Sequence, residues 1–168
     1  EYEGRDRMMK LFRFARENLP GFEKADMLGA AEQVGVRTTR MLQGEYVVTK
    51  EDVVERRHFA DTVCRGRDYY TPYRALLPKS VDQLIVAGRH YSAEPEAQKR
   101  SREIPPCMAQ GEVAGIAAAM ALDADINIRD VDPLKIQMQM RAQGADPGDV
   151  PSDNATGVGD VVAKASVA

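Results

Sequence analysis

The stretch that decides the fold is Leu84-Ile85-Val86-Ala87-Gly88-Arg89, followed after a polar loop by Pro105-Pro106-Cys107-Met108-Ala109-Gln110-Gly111-Glu112-Val113-Ala114-Gly115. Four consecutive apolar residues closed by a glycine predict a buried strand over Leu84–Ala87. The two prolines suit the start of a helix, where a missing N–H has no helical partner in any case. The stretch therefore predicts a strand and, after a loop, a helix that continues to about Leu122.

Outward from this stretch, the chain predicts further helices and a few short strands. The fold class expected from these signals is α+β, with short antiparallel strands between Val36 and Val48. From Ala145 to Ala168, Gly, Asp, Ser, Pro and Ala dominate without a period, which predicts a mobile tail. Four more helices are predicted from helical spacing or from a helix-start signal: Arg5–Leu19, Met27–Val34, Lys50–Val63 and Asp132–Gly144. The start signal of the third is a capping box at Thr49-Lys50-Glu51-Asp52.

Composition narrows the class of protein. The chain has 168 residues and a net charge of −3, which argues against a nucleic-acid binder, since such proteins carry a basic stripe. The longest apolar run, Val113–Leu122, is about half of what spans a bilayer. Two isolated cysteines and two isolated histidines predict no metal site. We expect a reduced, cytoplasmic protein with ordinary globular composition.

The central stretch resembles the closing segment of FAD-dependent oxidoreductases of the two-dinucleotide-binding-domain type. That family's pattern is roughly a strand, A-G-R, x-x-S, a loop with Ala and Arg, and then P-x-C-M-A-x-G-x-A-A-G. Ten residues after Gly88-Arg89 fall in register with it: Ser92, Ala97, Arg102, Pro105, Cys107, Met108, Ala109, Gly111, Ala114 and Gly115. The chain departs from the pattern at Pro95, where many relatives have a histidine, so a proton-transfer role of that histidine does not carry over.

The resemblance extends upstream to about Leu19. Gly35-Val36-Arg37-Thr38-Thr39-Arg40 and Gly44-Glu45-Tyr46 are similar to the family's G-x-R-x-[ST]-R and G-E-Y segments. Pro72-Tyr73-Arg74-Ala75-Leu76-Leu77-Pro78-Lys79 is similar to P-Y-R-x-L-x-P-K. The likeness implies a relation to flavoproteins such as fumarate reductase and succinate dehydrogenase.

The resemblance also implies a domain organisation. Residues 1–80 would belong to the substrate domain and residues 81–144 to the FAD-binding domain, with 145–168 as the tail. No G-x-G-x-x-G follows a predicted strand, so the N-terminal Rossmann βαβ unit that seats the ADP part of FAD is missing from this sequence. We expect a C-terminal part of an α/β flavoenzyme whose nucleotide-binding half is a preceding segment or a separate subunit.

The helix start is the predicted flavin contact. Its unpaired N–H groups and partial positive charge would stabilise a reduced flavin, which is negative near N1 and O2. Gly111 and Gly115 let a ring or another backbone approach closely, although spacing alone favours an Ala-rich packing helix. The resemblance assigns cofactor contacts to Gly88, Arg89, Arg102, Pro105, Met108, Gly111, Val113 and Ala114.

Four residues are the predicted catalytic or substrate-binding groups: Arg102, His90, Tyr73 and Arg74. Arginine binds carboxylates through two parallel hydrogen bonds, and Arg37 and Arg40 lie in matched segments as well. The alternative for the arginines is a salt bridge, and for Tyr73 it is packing. His90 follows the predicted flavin loop, whereas His58 is expected to be solvated. Cys107 either has a lowered pKa at the helix start or packs as a small side chain.

Two functions from different classes follow. The first is a segment or subunit of an FAD-dependent oxidoreductase that transfers hydride between a small, acidic organic substrate and flavin, with the cofactor supplying the difficult chemistry. The second is a non-catalytic accessory or truncated piece that binds no flavin by itself. A chance match of an unrelated binding module is a third reading, which Leu84–Ala87 outside a parallel sheet would favour.

Overall fold

The fold is α+β, as predicted. A computed structural model describes residues 1–67 and 69–156, and the part of the predicted tail from 157 to 168 lies outside the described residues. Its elements are α1 (Tyr2–Asn18), α2 (Lys50–Val54), β1 (Thr62–Arg65), β2 (Tyr70–Pro72), α3 (Pro95–Ser101), α4 (Ile104–Ala124) and α5 (Pro133–Ala142), with 3-10 turns at Tyr73–Ala75 and Ile128–Asp130.

The chain folds as two compact units, the first of which is Glu1–Arg37. It contains α1, whose start is held by Glu1: this side chain accepts hydrogen bonds from Arg5 and from the amide of Val34. The predicted helix over Met27–Val34 does not form, and Leu28 is fully exposed. Apolar spacing favours a helix only where its face finds a surface to pack on, and Leu28 has none within this unit.

The second unit, which begins at Thr38, contains the capping box at the predicted position. Thr49 accepts a hydrogen bond from the amide of Asp52, and Asp52 accepts one from the amide of Thr49. The helix is much shorter than predicted, because it ends at Val54 and Arg56 adopts a left-handed backbone conformation (φ 56°). The left-handed conformation at Arg56 ends the helical course of the backbone.

A two-stranded antiparallel sheet follows this turn. Strand β1 pairs with β2 across a bulge near Thr62, and both strands are largely buried. His58 is buried rather than solvated as predicted, because the helix that would have exposed it ends four residues earlier. Its Nε2 lies 3.0 Å from the carbonyl oxygen of Gly148, and its ring packs edge-on against Tyr70. The described part of the predicted tail therefore contacts the rest of this unit.

The long helix α4 forms the centre of the core. The sequence predicts it from about residue 106 to Leu122, and it runs from Ile104 to Ala124, where Asp125 ends it in a left-handed conformation. Small residues let α4 pack against β1, α5 and the turn at Ile128–Asp130. The core around it contains mainly aliphatic and tyrosine side chains, among them Val63, Tyr73, Leu76, Tyr91, Val113, Ala117, Ile136 and Met140.

The predicted buried strand Leu84–Ala87 does not form among the described residues, and its residues are exposed or partly buried. The amide of Val86 donates a hydrogen bond to the carbonyl oxygen of Leu76 (2.8 Å). A strand is defined by a ladder of such bonds, so the prediction is wrong for this chain by itself. Among the described residues, no helix has the length and apolar character that crossing a membrane requires.

Candidate functional site

Two buried glutamines tie the loop after Leu84–Ala87 to the helices. The amide of Gly88 donates to Gln110 Oε1 (2.8 Å), and Gln98 Nε2 donates to the carbonyl oxygen of Arg89 (3.0 Å). Both glutamine side chains are almost wholly buried, at 0% and 1% exposure for Gln110 and Gln98. The structure therefore brings Gly88 and Arg89, two predicted cofactor residues, against α3 and α4.

These glutamines were missed by the sequence reasoning, although one signal was present. Gln110 interrupts an otherwise small and apolar part of α4, and a lone amide in a buried run needs a hydrogen-bond partner. Gly88 itself has a positive φ of 106°, a conformation that favours glycine. Gly88 and Arg89 therefore form a turn that favours glycine at its first position, and side chains from two helices hold the backbone of this turn.

Replacing Gln110 by methionine should destabilise the chain. The substitution keeps the approximate volume and leaves the amide of Gly88 without its acceptor, which costs about 1–3 kcal/mol of unfolding free energy. Urea unfolding of the 168-residue chain measures this change. Gln139→Met is the matched control because Gln139 is exposed on α5, and an equal effect of the two substitutions would contradict the assigned hydrogen bond.

The start of α4 has fewer backbone N–H donors than predicted. Its second and third residues are Pro105 and Pro106, so Ile104 is the one residue of the first three that has a backbone N–H. Among the described residues, no side chain caps the helix start at Glu103. The partial positive charge of the helix remains, but the first three residues offer a ligand the N–H of Ile104 alone, so further hydrogen bonds here depend on side chains.

Two side-chain donors near this point are buried without an acceptor among the described residues: Arg102 Nε and Gln110 Nε2. Arg102 directly follows α3 and is partly buried. The side-chain amide group of Gln110 cannot be flipped, because its Oε1 would then no longer accept the hydrogen bond from the backbone N–H of Gly88. Unpaired buried donors are unfavourable, so an acceptor that reached either atom would be stabilising.

One face of α4 is open. Met108 is 70% exposed, and a Cβ atom added at Gly111 or Gly115 would meet nothing within 4 Å among the described residues. Pro105 is exposed beside this face and Ala114 is partly buried. The predicted cofactor contact Val113 is instead fully buried in the core, because it lies on the opposite side of the helix and packs inward.

In the loop after Leu84–Ala87, Arg89 and His90 are both exposed. Burial raises the pKa of the Cys107 thiol, and the nearby charge of Arg89 only partly offsets this. A lowered pKa at Cys107, one of the two alternatives, is therefore wrong, because desolvation outweighs the positive charge. Cys107 behaves as a half-buried packing residue.

The predicted substrate residues Tyr73 and Arg74 have structural partners. The Tyr73 hydroxyl donates to the carbonyl oxygen of Ile128 (2.6 Å), and burial raises the pKa of this phenol. Arg74 stacks on the ring of Tyr46 at 4.9 Å and lies 3.5 Å from Asp61. These contacts agree with the alternative interpretations, which are packing for Tyr73 and a salt bridge for Arg74. The two other arginines of the matched segments, Arg37 and Arg40, are exposed.

The site thus consists of Gly88, Arg89 and the open face and start of α4, with Arg102 beside them. No curated protein and no solved structure gives a significant match to this chain. A family model described as FAD dependent oxidoreductase matches residues 1–69 and 64–140, which together cover most of the sequence. The chain therefore belongs to the FAD dependent oxidoreductase family.

Proposed function

We propose that this chain supplies the part of an FAD site that contacts the flavin ring, within an enzyme that oxidises or reduces a small, acidic organic substrate. The observation that carries the proposal is the open face of α4 at Gly111 and Gly115, next to the loop of Gly88 and Arg89, in a chain of this family. The proposed cofactor contacts are Gly88, Arg89, Arg102, Pro105, Met108, Gly111 and Ala114.

The residues fit a flavin on chemical grounds. The pyrimidine edge of a flavin is rich in hydrogen-bond acceptors, and Arg102 Nε and Gln110 Nε2 are buried donors without one among the described residues. The two helical glycines leave room for a flat ring or for the backbone that supports it. When bound, FAD would supply hydride acceptance or donation, while the chain orients the ring and favours its negative charge through Arg89, Arg102 and the start of α4.

A nucleotide-binding portion completes this proposal. Leu84–Ala87 has no strand partner among the described residues, and α4 exposes Ile104, Met108 and Leu122 along its length. Unpaired strand edges and exposed large apolar side chains are typical of surfaces that another element covers. We propose that the covering element carries the Gly-rich strand–turn–helix, and that residues 1–80 and 81–144 divide between substrate and FAD-binding domains.

The non-catalytic alternative has one observation in its favour. Pro105 and Pro106 remove two backbone donors from the helix start, so the chain alone offers a flavin little hydrogen bonding there. Under this alternative the chain binds no flavin by itself and contributes no contact that retains flavin in the assembled protein. Comparing the flavin content of the assembled protein with that of its Gly111→Leu variant therefore separates the two functions.

Arg102 is the residue through which we propose that an acidic substrate is held. In the assembled flavoprotein, Arg102→Gln should raise the carboxylic-acid concentration needed for half-maximal anaerobic flavin reduction by about tenfold or more, because a charge-assisted hydrogen bond is lost. Arg40→Gln is the control, since Arg40 is exposed. Equal behaviour of the two variants, with flavin content unchanged, would remove Arg102 from the substrate site.

A further inference from the structure

A cavity of about 730 Å³ lies within the second unit, between the end of α2, the end of β1, α3 and the start of α4. Most of the charged side chains among the described residues of its wall are cationic. Glu103 is the one carboxylate among the described residues that line it, against five basic side chains: Arg56, Arg65, Arg67, Lys99 and Arg100. The volume is in the range of small-molecule sites.

The basic side chains of the wall are held partly by carboxylates outside it. Arg65 lies 3.5 Å from Asp146, and Lys99 lies 2.7 Å from Glu96. Such contacts do not prevent anion binding, because a guanidinium has five N–H donors and can serve a protein carboxylate and a ligand together. Cations gathered in a concave wall raise the local concentration of anions, here in a chain whose net charge is −3.

The backbone at Arg56 is a second, independent observation. Arg56 follows α2 and its C-cap residue Glu55 in a left-handed conformation, a place where glycine is strongly preferred. The conformation is unfavourable for any residue with a Cβ atom, and strain of this kind is concentrated at functional sites. Here the strained residue is part of the wall of the cavity.

We propose that this cavity binds a small anion with two or more adjacent negatively charged oxygen groups, either phosphate or carboxylate. Arginine recognises both groups by the same paired N–H···O geometry, and Tyr69 and Pro105 add apolar surface for the rest of the molecule. This site shares Pro105 with the proposed flavin contacts, but its basic side chains are not among those contacts, and its anion binding is tested without flavin. The four arginines of the wall favour a multiply charged ligand over a single carboxylate.

The test is thermal unfolding of the 168-residue chain during titration with inorganic pyrophosphate or citrate, at an ionic strength held constant with NaCl. We expect a saturable rise of the unfolding midpoint, since a ligand that binds only the folded state stabilises it. Arg100→Gln should weaken the fitted affinity about tenfold or more, and Lys135→Gln, an exposed cation on α5, should leave it unchanged. If pyrophosphate binds more tightly, the natural ligand carries phosphate groups. If citrate binds more tightly, it carries carboxylate groups.

Two results would overturn the proposal. One is a midpoint that rises no more with pyrophosphate and citrate than with NaCl at the same ionic strength. The other is an affinity in Arg100→Gln that equals the affinity in Lys135→Gln, because binding would then occur elsewhere on the surface.

A second variant separates binding from folding. Arg56→Gly should raise the unfolding midpoint without anion, because glycine relieves the left-handed conformation, and should also weaken anion binding. These opposite signs cannot arise from general destabilisation. Unchanged anion affinity in Arg56→Gly would contradict the role of this side chain in the cavity.

Discussion

Replacing Gly111 by leucine should abolish flavin retention in the assembled flavoprotein while leaving this chain folded. A Cβ atom at this position meets no described atom within 4 Å, so the chain itself has room for a side chain. Leucine is favoured over glycine inside a helix by about 1 kcal/mol, which should slightly stabilise α4. The new side chain would occupy the space that we propose for the flavin or for the backbone beneath it.

The ratio of flavin to protein absorbance after gel filtration measures this effect. Ala119→Leu is the matched control, since Ala119 is an exposed small residue further along α4. The control should retain flavin and Gly111→Leu should not. Full flavin content in Gly111→Leu would remove the open face of α4 from the cofactor site.

Replacing Asp52 by alanine should destabilise the chain by about 3 kcal/mol of unfolding free energy. The Asp52 side chain is 1% exposed and accepts hydrogen bonds from the amide of Thr49 (2.9 Å) and the hydroxyl of Tyr46 (2.8 Å). Arg57 also lies 3.1 Å from its carboxylate. Alanine leaves these donors unpaired and removes the capping box.

Urea unfolding of the chain measures this loss, with Glu51→Ala as the control. Glu51 is exposed on the same helix, so its substitution should change the unfolding free energy by less than about 0.5 kcal/mol. Asp52→Asn keeps one acceptor and should lie between the two. A small effect of Asp52→Ala would show that α2, which carries Val53 in the cavity wall, is held by other contacts.

Elements with local signals could be predicted from the sequence. Helix α4 has prolines at its start and a long run of small and helix-forming residues, and its observed ends lie within two residues of the predicted ones. The capping box at Thr49 and Asp52 has the predicted reciprocal hydrogen bonds. In both cases the residues that determine the structure are neighbours in the chain.

Elements that depend on distant partners could not be predicted. Leu84–Ala87 has the composition of a buried strand, but a strand also needs neighbours to pair with, and the described residues supply none. His58 and the end of α2 depend on Arg56 adopting a left-handed conformation, which an arginine rarely does. No local pattern at residues 56–58 indicates that turn.

The candidate site shows the same division. The motif residues Gly88 and Arg89 do lie against α3 and α4, yet the contacts are made by Gln98 and Gln110, which are not among the matched motif residues. The arginines selected from matched segments line no common cavity among those described. The basic side chains that do line a cavity, such as Arg65 and Arg100, come from segments that only the tertiary fold brings together.

The most direct test of the central claim is the visible absorbance spectrum of the assembled protein after addition of FAD, together with the intact masses of the polypeptides present. The assembly is this chain joined to, or expressed with, the polypeptide that carries the Gly-rich strand–turn–helix from the same source. Our account predicts flavin bands at about one flavin per copy of this chain, and their loss in Gly111→Leu. A folded assembly of both parts that remains colourless with excess FAD would contradict it.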